Sequence, residues 1–233
     1  MRIQTKPHIA LSGNQLKLLA LVSMTCDHIG LQLFPQSDIL RIIGRLAFPI
    51  FAYMIAEGCH YTRNRAKYLL TMAGMALLCQ AVYFLAIGSL FQCVLVTFCL
   101  SISLIYLLDQ AQTRPGILPR LAFVLDILAA VFLAAVLPGL LPRTDYGIDY
   151  GLMGIFLPLL AYLGKTKKEK CLLTAAGLVL LSFQQGGRQW YSLLVLPLLA
   201  LYSGRRGKWK LKNLFYIYYP AHLAAIYLLS LVL

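Results

Sequence analysis

A chain of 233 residues that is 60% hydrophobic, only 12% charged and has a mean hydropathy of +0.75 is too apolar for a soluble globular domain of its size. It is read as an all-α polytopic integral membrane protein, a single domain over 1–233. The net charge of +13 does not point to nucleic acid, because Lys and Arg fall in short loops between apolar runs and not on a basic face with interleaved aromatics.

Taken in order, the apolar runs predict about nine transmembrane helices, at roughly 15–34, 39–60, 67–88, 90–108, 120–141, 150–164, 170–184, 190–203 and 213–232. No cleavable signal peptide is expected, since the first run is long, contains Asp27 and His28, and lacks a small-residue cleavage site. Gly88 and Ser89 alone separate the third and fourth spans, which suggests a tight turn. Pro49, Pro158, Pro197 and Pro220 fall inside predicted helices, where each removes a backbone donor and invites a kink. The six cysteines lie within or at the edges of apolar runs with no CxxC pair, and read as packing residues and not as disulfides or metal ligands.

The basic residues fix an orientation. With the N-terminus inside, the inner segments hold Arg2, Lys6 and Lys17, then Arg63, Arg65 and Lys67, then Arg114 and Arg120, then Lys165, Lys167, Lys168 and Lys170, and finally Arg205, Arg206, Lys208, Lys210 and Lys212. Only Arg143 and Arg188 fall outside, with Arg41 and Arg45 entering the second helix. This alternation predicts an N-in, C-out topology.

Four ionisable groups, Asp27, His28, Arg45 and Glu57, lie inside the first two spans. Each costs at least a few kcal/mol in hydrocarbon, so the hairpin that carries them is the expected working centre. His28 lies about twelve residues into the first helix and Arg45 about five into the second, at comparable depth. Adjacent helical residues point about 100° apart, so Asp27 is poorly placed to bond the ring of His28 and is expected to pair with Arg45. A second intramembrane histidine, His222, follows Pro220. From the residues alone, a histidine bonded to a helix carbonyl and a functional one stand level for His28. Glu57 is expected to orient His60 or Tyr219 or to pair with an arginine. Asp145 and Asp149 recur in DYGIDYG at the outer entrance to the sixth span, where they either receive a cationic acceptor or, more simply, Asp149 caps a helix. Asp109 and Asp126 have no assigned partner.

The runs DHIG, RIIGRLAFPIFAYMIAEG and HYTRNRAKYLL, followed by DYGIDYGLMGIFLPLLAYL and NLFYIYYPAHLAAIYLL, resemble the TraX family over nearly the whole chain. That family comprises bacterial inner-membrane proteins named for an F-pilin N-acetylase, and it resembles the wider group of multi-pass transmembrane acyltransferases. The resemblance implies a multi-pass protein of the bacterial inner membrane, in contact with membrane lipids, that moves an acetyl or other acyl group from cytoplasmic acyl-CoA, a co-substrate, to an amine or hydroxyl acceptor near the outer face. A pilin N-terminus, another peptide or a sugar would each serve as acceptor. It makes His28 the favoured catalytic residue, with Asp27 beside it and Arg45, Glu57, Tyr219 and His222 in support. Tyr219 and His222 carry over from the YPxHL element. His60, Arg63, Arg65 and Lys67 then form a mouth for the CoA phosphates, and Asp145 and Asp149 receive the acceptor.

A neutral imidazole suits this chemistry, because it takes up a proton from an amine or hydroxyl near neutral pH. Two other readings compete. The same intramembrane charges would serve a transporter or channel as an ion or proton path, although no inverted repeat is visible. An assembly protein of a conjugation or secretion apparatus would share the location but would not need the buried Asp–His pair.

Overall fold

The computed structural model describes residues 10–208 and 212–230. Arg2, Lys6, Lys210 and the final residues of the ninth predicted span lie outside the described residues. Those described are helical throughout, joined by turns and two isolated bridges. Among the described residues four helical stretches, Asp38–Tyr61, Arg65–Leu85, Val94–Thr113 and Leu118–Leu140, are long and apolar enough to cross a membrane.

The chain divides into two compact units, one from the terminal segments Met1–Phe51 and Tyr191–Leu233 and one from Ala52–Trp190. In the terminal unit, α1 (Gly13–Gln32) starts at a capping box, in which Ser12 and Gln15 satisfy each other's backbone amides. The amides of Gly13 and Asn14 reach the carbonyls of Arg205 and Arg206, so the loop before the last helix takes up helix-end donors that would otherwise be orphaned. α2 (Asp38–Gly44) packs against α1. Its Gly44 is required there, because a Cβ at that position would collide with the Asp27 carboxylate.

The second predicted span, 39–60, is not one helix. It breaks at Arg45–Leu46 between α2 and α3 (Ala47–Tyr61). Pro49 supplies the reason: it has no N–H to offer the carbonyl four residues back, that of Arg45. The proline ends up in the first turn of α3, where no intrahelical donor is needed. Pro197 likewise stands in the first turn of α10 (Leu196–Ala200), so of the four prolines expected inside helices only Pro158 and Pro220 are interior.

In the central unit, α4 (Arg65–Ile87) is capped by Asn64, which accepts from the Lys67 amide, and ends on Gly88 at φ 63. The connection beyond Gly88 is longer than the tight turn expected at Gly88 and Ser89. The chain runs without helix to Cys93 because Asp145 accepts from both the Ser89 hydroxyl and the Leu90 amide, and Gln92 pairs with the backbone at Gly147 and Asp149. α5 (Val94–Thr113) packs against α4, against α6 (Leu118–Val131) and against α8 (Gly151–Leu163). The fifth predicted span is likewise interrupted: a π-helical stretch, Phe132–Val136, separates α6 from α7 (Leu137–Leu140), directly before Pro138, whose missing donor disturbs the ladder.

α8 begins one residue later than an Asp149 cap would place it. Its N-cap is Tyr150, held in the left-handed region at φ 62. Near the interior Pro158, the Ser101 hydroxyl donates to the Ile155 carbonyl and ties α5 to α8. α9 (Lys167–Gln185) packs closely on α8, with Gly177 against Leu157. After Gly186 and Gly187, both at positive φ, the eighth predicted span continues as a 3₁₀ helix, Gly187–Val195. Side chains three apart eclipse in that geometry, and Gln189, Ser192 and Val195 form its buried stripe. α11 (Lys212–Ser230) closes the terminal unit against α1.

Candidate active site

Asp27 sits late in α1 and receives two guanidinium groups from α2 and its C-cap. Arg41 Nη1 lies 3.0 Å from one carboxylate oxygen and also donates to the Asp27 carbonyl at 3.1 Å. Arg45 pairs with the other carboxylate oxygen. The expected Asp27–Arg45 pair is therefore present. Arg41, which sequence reasoning treats only as a charge entering the second helix, is its twin; the i, i+4 spacing of Arg41 and Arg45 is the available signal. With both oxygens occupied, Asp27 is an anchor for two cations.

The next residue of α1 faces α11. His28 Nδ1 lies 2.8 Å from His222 Nε2, and His222 Nδ1 lies 2.9 Å from the carbonyl oxygen of Tyr218. One turn earlier, the Thr25 hydroxyl donates to the Leu21 carbonyl, so in its 2.6 Å contact with Tyr218 it is the tyrosine hydroxyl that donates. Two polar links thus join α1 to α11. Around them, Leu21, Met24 and Ala47 form an apolar cluster with Leu18, Phe51, Tyr218 and Tyr219 packed on it. The Tyr218 ring stacks on His222 at 5.2 Å and 10°, while Tyr219 meets the same imidazole edge-on at 5.7 Å. His222 is only 7% exposed, whereas His28 is partly buried. Sequence reasoning misses Tyr218 and Thr25, since neither is unusual in an interfacial aromatic run or an apolar helix.

The remaining sequence candidates fall in the central unit. Glu57, buried in α3, pairs with Lys170 of α9 and, among the described residues, with neither an arginine nor His60. The sequence gives this lysine only a topological role, and it lies more than a hundred residues away, which is why spacing does not reveal it. His60 stacks on Tyr162 of α8 with ring centroids 4.0 Å apart. Arg65 pairs with Asp109 of α5, which also accepts from the Tyr162 hydroxyl at 2.8 Å, and its guanidinium lies over the Tyr106 ring. Arg63 and Lys67 are exposed. Asp126, also unassigned, accepts from Ser103.

Asp145 and Asp149 do not present a matched pair of carboxylates. Asp145 is engaged with Ser89 and Leu90, and these two bonds hold its carboxyl below the usual carboxylate range. Asp149 acts through its backbone, donating to the Gln92 carbonyl and accepting from the Thr97 hydroxyl. The DYGIDYG loop is thereby a clasp between the starts of α5 and α8.

In comparison with known proteins, residues 12–230 match the TraX protein family. The chain belongs to the TraX family. It is 29% identical over 255 aligned positions to the probable fimbrial assembly protein FimC, serogroup H1, of Dichelobacter nodosus, covering 94% of this chain and 96% of that one. A shorter match, 58% identical over 38 residues, links it to the uncharacterized protein RP591 of Rickettsia prowazekii (strain Madrid E), covering 16% of this chain and 15% of the other. No solved structure matches.

Proposed function

We propose that this TraX-family protein is a multi-pass acyltransferase of the bacterial inner membrane that transfers an acetyl or other acyl group from cytoplasmic acyl-CoA to an amine. The observation that carries the reading is the paired imidazoles of His28 and His222 among apolar and aromatic side chains, with one of the two only partly buried. Here His222 already has a carbonyl for one nitrogen and gives the other to a second ring.

Acyl-CoA supplies the thioester carbonyl. His28 takes the proton from the attacking amine as the new C–N bond forms, and the proton is later available to the departing thiolate, so the products are an amide and a free thiol. Asp27, with Arg41 and Arg45, holds α1 against α2 and so fixes the height at which His28 stands. In the central unit Arg63 and Lys67 are exposed cations of the kind that binds phosphates, while Arg65 is matched to Asp109. The fimbrial assembly function named for the Dichelobacter relative favours a pilin-type polypeptide amine as acceptor.

The test is acyl transfer from labelled acetyl-CoA to a pilin-type peptide amine by reconstituted protein. His28→Ala and His28→Gln at equal folded yield are expected to lose roughly 10²–10⁴-fold in rate. Wild-type turnover in both would end the acyltransferase reading at this residue. For the nine-span, N-in and C-out arrangement, which rests on the Lys and Arg distribution, a reporter between Gly164 and Lys170 is expected inside and one after Leu233 outside. Leu233 itself lies outside the described residues. Both reporters on one face would refute the arrangement.

A further inference from the structure

We infer that His222 is a positioning residue that fixes the tautomer of His28, with Nδ1 protonated and Nε2 bare. The argument begins at the Tyr218 carbonyl. That oxygen has lone pairs only, so the nitrogen 2.9 Å from it, His222 Nδ1, must carry a hydrogen. A neutral imidazole carries one N–H, so His222 Nε2 is an acceptor. The 2.8 Å contact between His222 Nε2 and His28 Nδ1 requires one hydrogen between the two atoms, and it therefore sits on His28 Nδ1. In the neutral His28 ring that leaves Nε2 bare.

Both rings are taken as neutral because neither has a carboxylate counter-ion among the described residues. Asp27, the neighbour of His28 in the chain, is already bonded by two guanidiniums and by neither imidazole. A resting imidazolium there would add like charge in an apolar setting, which is costly without a counter-ion.

The arrangement is held from several sides. Tyr218 donates to Thr25 and stacks on His222, and Tyr219 packs against the same ring, so His222 has little freedom to flip and exchange its nitrogens. The consequence for acyl transfer rests on the reading proposed above. When His28 Nε2 accepts a proton, the imidazolium's Nδ1–H already donates to a neutral acceptor, and that bond becomes charge-assisted without any ring having to turn. The tautomer itself does not depend on that reading.

The test is a long-range ¹⁵N–¹H correlation spectrum of ¹⁵N-histidine-labelled protein in lipid nanodiscs, with the His28 signals assigned by their loss in His28→Asn. In the wild type, His28 is expected to show a protonated Nδ1 and an Nε2 shifted far downfield, as an unprotonated ring nitrogen is. His222→Leu removes the acceptor, and His28 is then expected to drift to the Nε2–H form that dominates in free histidine. His222→Gln, whose amide oxygen can take the place of the ring acceptor, is expected to restore Nδ1–H.

A wild-type His28 protonated at Nε2, or at both nitrogens, overturns the inference before any variant is made. So does a tautomer unchanged in His222→Leu or not recovered in His222→Gln. Correct tautomers in a protein that transfers no acyl group would sink the proposed function and leave this inference standing; transfer with the other tautomer would do the reverse.

Discussion

In the central unit each of two buried or half-buried carboxylates meets one cation, Glu57 with Lys170 and Asp109 with Arg65. In the terminal unit Asp27 meets two, Arg41 and Arg45, and beside it two imidazoles bond to each other. The first pattern closes on itself. Charges cancel, and the rings of His60 and Tyr162 stack. The second sets one carboxylate against two guanidiniums and bonds two imidazoles to each other. Intramembrane polarity alone therefore does not mark a site; what separates the two clusters is that one sets each carboxylate against a single cation and the other does not.

If that distinction is right, removing a carboxylate should hurt the terminal cluster more. Asp27→Asn leaves two guanidiniums facing one another and is expected to cost about 3–5 kcal/mol, the range for breaking a buried pair. Glu57→Gln leaves a single lysine near the start of α9, whose long stem can carry the charge toward water, and about 1–3 kcal/mol is expected. Thermal unfolding in one detergent, measured for both variants, checks the order. Equal losses would mean that the second guanidinium adds nothing.

The two units can also be compared through glycine. Gly44→Ala would press a methyl group into the Asp27 carboxylate, and a loss of about 1–3 kcal/mol is expected from overpacking. Gly74 of α4 has open space where its Cβ would be, so Gly74→Ala should stabilise by about 0.5–1 kcal/mol through helix propensity. Opposite signs in the same unfolding assay are the expected result; a stabilising Gly44→Ala would show that α1 and α2 are not held at this distance.

The smallest effect concerns the loop clasp. The folded-state carboxyl of Asp145 is depressed, so its bonds to Ser89 and Leu90 contribute fully above the usual carboxylate range and are lost as pH falls through the lower folded value. Hydrogen exchange at the Leu90 amide should accelerate over that acid window in the wild type. In Asp145→Asn the exchange should lack that acid step. An identical step in the variant would mean that another group titrates there.

Hydrophobic run length depends only on local composition, so an all-helical, apolar chain and the approximate places of its helical stretches are legible from the residues without coordinates. The Asp27–Arg45 pair is legible too, since helix depth comes from counting residues. Proline marks the limit of local reasoning. Pro49 and Pro138 announce disturbances in their helices, but whether a proline kinks, breaks or begins a helix, or is preceded by a π-helical stretch, depends on what takes up the released carbonyl. Packing, and no local signal, selects the partners that lie far apart in the chain: Lys170 for Glu57, Asp109 for Arg65, and His222 for His28. Each of those pairs forms because helices distant in sequence lie side by side, and the free energy of leaving a polar group unmatched in an apolar interior favours the packing that matches it.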